Sequence, residues 1–318
     1  MALCSYPHLY SCCRYFRQSN RVSIIFYTCS SQNVTTEDHS STELLSPDCG
    51  RNLGQPLRDG SKTELSEFPW LVLVEFIGPN GQVTITCNGV LISKRYVMTA
   101  GYCARRTEAP SSTTRNQMTV RLGEYDLVKK KDCVQTMNGS ESCSDDPTRI
   151  NIEEVTVHED YSPNLPEQWA DIALLRLSQD VTFTKYIQPV CLPSKSATAD
   201  EGEFYVVGWG RTKGSKENPN PEKLKFKLPT VDFERCLSLF PIVREGQFCA
   251  GGAPADNFCV GHGGAPLMNL EKTNDGDTRW TVSGIVLFGR TNCIGNDSPE
   301  VYTKVAHYVP WILSKIRA

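Results

Sequence analysis

Several familiar signatures are missing from this chain, and each absence removes a class of function. No stretch approaches the ~18 to 20 consecutive apolar residues that a membrane-spanning helix needs. The one apolar run near the amino end, Val22 to Cys29, is short. No charge of one sign dominates: 33 Lys plus Arg against 36 Asp plus Glu give a net charge of -3. A field that would gather nucleic acid or an acidic membrane is therefore not expected, and neither is named as a partner. The cysteines lack the paired Cys-x-x-Cys spacing of zinc sites, so no metal of that kind is implied. No internal repeat points to a propeller or solenoid. Helical periodicity is nearly missing too. Only Val305 to Ile316 spaces Tyr308, Val309, Ile312 and Ile316 for one packed face, with Pro310 expected in its first turn.

Cysteine itself is abundant. Fourteen in 318 residues exceed ordinary cytosolic use and indicate disulfides formed in an oxidising compartment. The sequons at Asn33, Asn138 and Asn296 suit glycosylation of a secreted chain. Met1 to Ser30 lacks the unbroken apolar core of a signal peptide, being interrupted by Pro7, His8, Arg14, Arg17 and Arg21, so the secreted, extracellular location is inferred from the later cysteines.

Composition divides the chain near Cys49. Residues 30–48 are rich in Ser, Thr, Asp and Glu, as in an exposed linker, and residues 1–48 are read as an amino-terminal segment preceding a domain over 49–318. Within that domain, Leu71 to Phe76 and Val83 to Thr86 flank the turn cluster Gly78-Pro79-Asn80-Gly81 and predict a hairpin. Further short β-branched runs at 90–92, 96–99, 118–122, 150–157, 172–177, 204–207 and 282–287 are separated by polar loops at 105–116, 128–148, 211–223 and 271–279. Many short strands with one terminal helix predict an all-β sandwich or barrel.

Six motifs make the pattern specific: Phe68-Pro69-Trp70, Gly89-Val90-Leu91-Ile92, Val97-Met98-Thr99-Ala100-Gly101-Tyr102-Cys103, Asp171-Ile172-Ala173-Leu174-Leu175, Val207-Gly208-Trp209-Gly210 and Pro299-Glu300-Val301-Tyr302-Thr303. In this order they resemble the chymotrypsin-like (S1) serine proteases. The Asp132-Cys133 and Cys143-Ser144-Asp145 loop, with Cys249-Ala250-Gly251-Gly252, resembles the arthropod clip-domain branch of that family. The resemblance implies two antiparallel six-stranded β-barrels with a carboxyl-terminal helix. It also implies disulfides joining Cys49 with Cys191, Cys87 with Cys103, Cys133 with Cys143, Cys236 with Cys249 and Cys259 with Cys293. Cys4, Cys12, Cys13 and Cys29 remain, and the first three look like the tail of a clip module within residues 1–48.

The same resemblance implies a catalytic triad, and here the chain departs from its family. A hydroxyl nucleophile needs an imidazole to take its proton and a buried carboxylate to orient the imidazole. Tyr102 stands at the histidine position, Asp171 keeps the carboxylate, and Gly263 replaces the serine within Cys259-Val260-Gly261-His262-Gly263-Gly264. A phenol, with a reference pKa of about 10, accepts a proton poorly at neutral pH. Taken alone, Tyr102 also reads as an aromatic packed beside a disulfide, and Asp171 as a structural hydrogen-bond acceptor. His262 has no partner at ligand spacing and reads as a locally bonded imidazole.

Activation and specificity positions change with them. His262 replaces the aspartate that pairs with a freed amino terminus, and Pro56 to Gly60 lacks the family's Arg-Ile-Val-Gly-Gly. Asn257 takes the place of the pocket aspartate, Glu300 that of a pocket glycine, and Leu287-Phe288-Gly289 that of the Ser-Trp-Gly strand. Backbone N–H groups at Gly261 and Gly263 still offer an oxyanion-like nest. No cofactor is implied, although the acidic loop around Asp145 and Asp146, within 124–148, is a candidate for calcium.

The reading that follows is a secreted serine protease homolog, without catalysis, that binds proteins of an extracellular cascade such as clip-domain proteases or prophenoloxidase in innate immunity and melanization. The alternative is a trypsin-like endopeptidase with a displaced nucleophile.

Overall fold

The computed structural model describes residues 42–51, 62–78, 80–105, 117–135, 138–164, 169–193, 203–212, 221–252, 258–261, 263–272, 276–288 and 299–318. The first half forms β1 (Leu71–Ile77), β2 (Val83–Leu91), β3 (Tyr96–Thr99), α1 (Gly101–Arg105), β4 (Gln117–Leu122), β5 (Cys133–Gln135), β6 (Glu141–Cys143), β7 (Thr148–Val157) and β8 (Ala173–Leu177). The second half forms β9 (Glu203–Gly208), β10 (Gly210–Thr212), β11 (Leu224–Val231), α2 (Phe233–Leu239), β12 (Gln247–Gly251), β13 (Phe258–Gly261), β14 (Pro266–Lys272), β15 (Thr278–Phe288), β16 (Pro299–Lys304) and α3 (Val305–Lys315).

Two closed six-stranded antiparallel barrels result, in the strand orders β1-β2-β3-β8-β7-β4 and β11-β12-β16-β15-β14-β9, as the resemblance implies. The near-continuous apolar run of β1 has a direct cause. Leu71 to Val74 are all buried, because one strand face lines the barrel and the other is covered. Bulges that insert Thr86 of β2 opposite the Val74/Glu75 step of β1, and Ser283 of β15 opposite the Leu267/Met268 step of β14, add the local bend that lets short strands close.

The predicted hairpin is present, with Gly78 accepting from Gly81 N–H at 2.9 Å and Gly81 at φ 76°. The runs read separately at 83–86 and 90–92 belong to one strand, β2. The loop expected over 128–148 contains its own two-stranded hairpin, β5–β6, with Cys133 opposite Cys143. β11, β12 and β14 went unread because their lysines, Pro229 and short apolar runs obscure any period. Two short helices, α1 and α2, also correct the expectation of a single terminal one. α2 is begun by Asp232, whose carboxylate accepts from the N–H of Arg235 at 2.8 Å. The packed face of α3 is as expected, but Pro310 lies in its second turn, where the missing N–H removes the donor for Ala306.

The barrels meet along a shared seam. Trp70 donates its indole N–H to the sulfur of Met268, and Trp209 donates to the carbonyl of Tyr125 at 2.9 Å. Four of the five implied disulfides are formed: Cys49–Cys191, Cys87–Cys103, Cys133–Cys143 and Cys236–Cys249. The pairing of Cys259 with Cys293, and Cys4, Cys12, Cys13 and Cys29, lie outside the described residues. Cys49 anchors the end of the linker, where Gly50 N–H donates to Pro189 at 2.8 Å and Leu45 bridges to Ser93.

Candidate functional site

The triad positions converge at the seam from three separate elements. Tyr102 sits in the first turn of α1, where the Cys87–Cys103 bridge fixes that helix to β2. Asp171 lies just before β8, with Thr303 of β16 donating its hydroxyl to the Asp171 carbonyl at 3.1 Å. Gly263 comes from the turn between β13 and β14, and its carbonyl accepts from Asn88 N–H at 2.9 Å.

At Gly263 the two barrels leave no room for a side chain. A Cβ built there would fall within the van der Waals spheres of the Tyr102 hydroxyl oxygen and Cζ, with Cε1 at 2.8 Å. The end of the phenol thus occupies the volume where a nucleophilic side chain would begin. The next residue, Gly264, has φ +79°, and a Cβ there would press on the Asn88 carbonyl and the Thr99 hydroxyl. The two glycines have different reasons to be small: Gly264 because of its backbone, and Gly263 because of Tyr102.

Asp171 is 0 % exposed. Its Oδ1 accepts from the backbone N–H of Tyr102 at 2.7 Å, with a further backbone bond from Gly101, so the acceptor role foreseen for it is served by main chain. Its Oδ2 is buried and has no hydrogen-bond partner among the described residues. Leu287, which the resemblance places where a hydroxyl is expected, is buried and apolar. Burial pushes the Asp171 carboxyl up to about 7, against which the two backbone donors pull it down. Tyr161 lies beside it, with its hydroxyl raised mainly by burial and then by the charge on Asp171.

Glu300 turns along its strand, and its carboxylate accepts from the Tyr302 hydroxyl at 3.1 Å. The Tyr302 ring belongs to the second barrel's interior. Gly261 pairs with Gly210 between β13 and β10. Asn257, His262 and Gly289, and the side chain of Phe288, lie outside the described residues. Asn138 is exposed in the turn joining β5 to β6, while Asn33 and Asn296 are also outside.

In the loop considered for calcium, Asp145 and Asp146 are exposed. The buried carboxylates nearby are Glu124, Asp126 and Asp132. Glu124 already accepts from Arg121 at 2.6 Å and from Tyr125 N–H at 3.0 Å. Asp126 pairs with Lys129 at 2.9 Å and accepts from Val128 N–H at 3.1 Å. Asp132 Oδ1 is the atom of these three acids left without a partner among the described residues. Cys133, Glu141 and Cys143 cluster closely, but the two sulfurs are joined to each other.

A buried charge network went unforeseen. Glu75, 0 % exposed, accepts from Arg121 Nε and Arg149 Nε, each at 2.6 Å. Its signal was present in the sequence, as a lone acid inside the apolar run of β1.

The profile of the trypsin family matches residues 57–312. Melanization protease 1 of Drosophila melanogaster is 35% identical over 297 residues, covering 90% of this chain and 72% of its own length. CLIP domain-containing serine protease HP8 of Bombyx mori is 35% identical over 277 residues, covering 84% and 71% respectively. Phenoloxidase-activating factor 3 of Holotrichia diomphalia is 34% identical over 275 residues, covering 85% and 75%. Among solved structures, the drosophila Grass clip serine protease of the Toll pathway superposes with a TM-score of 0.71 and 29% identity, covering 84% of this chain and 73% of that one.

Proposed function

Since the chain belongs to the trypsin family of serine proteases, we propose that it is a catalytically inactive homolog, secreted, that acts as a protein-binding cofactor or regulator of an extracellular proteolytic cascade in innate immunity and melanization. The observation that carries this reading is the Tyr102 phenol filling the volume where a side chain at position 263 would start. Nucleophilic catalysis needs a nucleophile and a base within hydrogen-bond reach, and here one position has no side chain and the other holds a phenol. The Oδ2 of Asp171 supports it: the buried carboxylate is kept, and among the described residues no imidazole or other donor gives that oxygen a hydrogen bond. Similarity to a melanization protease and a phenoloxidase-activating factor supports the kind of cascade. Four disulfides support secretion, and among the described residues no helix is long and apolar enough to cross a membrane. Clip-domain proteases and prophenoloxidase are the partners proposed.

The competing reading, an endopeptidase with a displaced nucleophile, is separated by a fluorophosphonate probe, which phosphonylates an activated serine. The full chain, processed by a trypsin-like enzyme that is then removed, is expected to keep its mass and release nothing from arginyl or lysyl amide substrates. One stoichiometric adduct per chain, blocked by prior denaturation, would establish the endopeptidase instead.

A further inference from the structure

The loop between β4 and β5 carries the chain's only three consecutive lysines, Lys129, Lys130 and Lys131. We propose that this loop is a processing site, cut after Lys129 or Lys130 by a trypsin-like endopeptidase. This goes beyond the cofactor reading and does not depend on it, since an active protease could be nicked at the same place.

Three observations carry the proposal. The first is exposure: Val128 is 79% exposed, the highest value among the large apolar side chains of the described residues, and all three lysines are exposed beside it. The second is the backbone. Beyond the local turn, in which Lys129 N–H donates to the Asp126 carbonyl at 3.2 Å, residues 128–131 belong to no strand ladder, and among the described residues Lys130 and Lys131 have no hydrogen-bond or ion-pair partner. An endopeptidase must draw several residues into an extended strand, and such a segment yields at the smallest local unfolding cost. The third is how the flanks are held. Leu127 N–H donates to Pro221 at 3.0 Å, Asp126 N–H to Asp132 Oδ2 at 3.2 Å, and Ser144 N–H to the Asp132 carbonyl at 2.8 Å. The lysines are thus displayed between fixed ends and do not hang from a long tail.

The chemistry is hydrolysis: water adds across one peptide bond, leaving a carboxylate on the lysine and an ammonium on its successor. The carboxylate of a trypsin-like specificity pocket supplies the counter-charge for the lysine side chain. The products would stay together, because Cys49 lies on one side of the cut and its partner Cys191 on the other, while Cys87–Cys103 is wholly on the amino-terminal side.

The test is limited digestion of the full chain with trypsin, read by amino-terminal sequencing and by electrophoresis with and without reductant. The expected result is a new amino terminus at Lys130 or Lys131, with fragments that separate only after reduction. A variant with all three lysines replaced by glutamine should lose this cut while still being cut at its other accessible basic sites and melting as one species. The proposal is overturned if the wild-type loop stays whole once cleavage at another site, such as Arg58, has gone to completion. An unchanged fragment pattern in the glutamine variant would overturn it equally.

Discussion

Asp171→Asn should stabilise the protein at about pH 8 by up to about 4 kcal/mol and by almost nothing at about pH 3. The folded carboxyl titrates at about 7, raised from 3.8 by burial. Below about pH 4 the group is neutral whether the chain is folded or not, so burying it costs no ionisation energy. Between the two values the unfolded chain releases its proton while the folded one holds it, and stability falls as pH rises. Above about pH 7 both states are ionised and the full penalty is present. Asparagine removes the charge, keeps an oxygen for the Tyr102 and Gly101 donors, and leaves an amide near the vacant Oδ2 position, where the protonated carboxyl leaves a hydroxyl just as unpaired, so that polar cost cancels between the two. Urea melts of both proteins across this range would show a difference that opens with pH. A variant less stable than wild type at about pH 8 would mean that the carboxylate has a partner in the folded state.

Glu75→Ala should cost about 3 to 5 kcal/mol, the loss typical of breaking a buried ion pair from one side. Glu75 lies buried on the outer face of the first barrel, beside Thr119, with both oxygens engaged, by Arg121 at one and Arg149 at the other. Removing it strands the Arg121 guanidinium, which is largely buried and would keep only Glu124, at 2.6 Å. Arg149 is closer to solvent and can turn outward, so Arg149→Ala should be much milder. The ordering is as informative as the size: Glu75 first, Arg121 next, Arg149 last. Equal and small losses for all three would place the network in water.

These two sites also show what the sequence made legible. The two barrels and four disulfides were implied by the family resemblance that the motifs carry, because the order of those motifs is visible along the chain. Asp171, Tyr102 and Gly263 could be placed by position for the same reason. Their relation could not. That the phenol of residue 102 reaches the Cβ position of residue 263 depends on how a helix from one barrel meets a turn from the other, and no linear pattern encodes that distance. Glu75 left a trace as an acid in an apolar strand, but its partners lie 46 and 74 residues away. The β5–β6 hairpin escaped because three-residue strands in a polar segment carry too few side chains to show alternation.

Tyr102 and Gly263 share one volume, and a double-mutant cycle measures that overlap directly. Gly263 does not have a left-handed backbone, so a methyl group there brings no conformational strain of its own. Gly263→Ala in the wild-type chain should therefore cost about 1 to 3 kcal/mol through overpacking against the phenol alone. In a Tyr102→Ala background the same change should cost less than about 0.5 kcal/mol, giving a coupling of about 1 to 3 kcal/mol. Equal costs in the two backgrounds would contradict the account, since the phenol would then not occupy the space that a nucleophile needs.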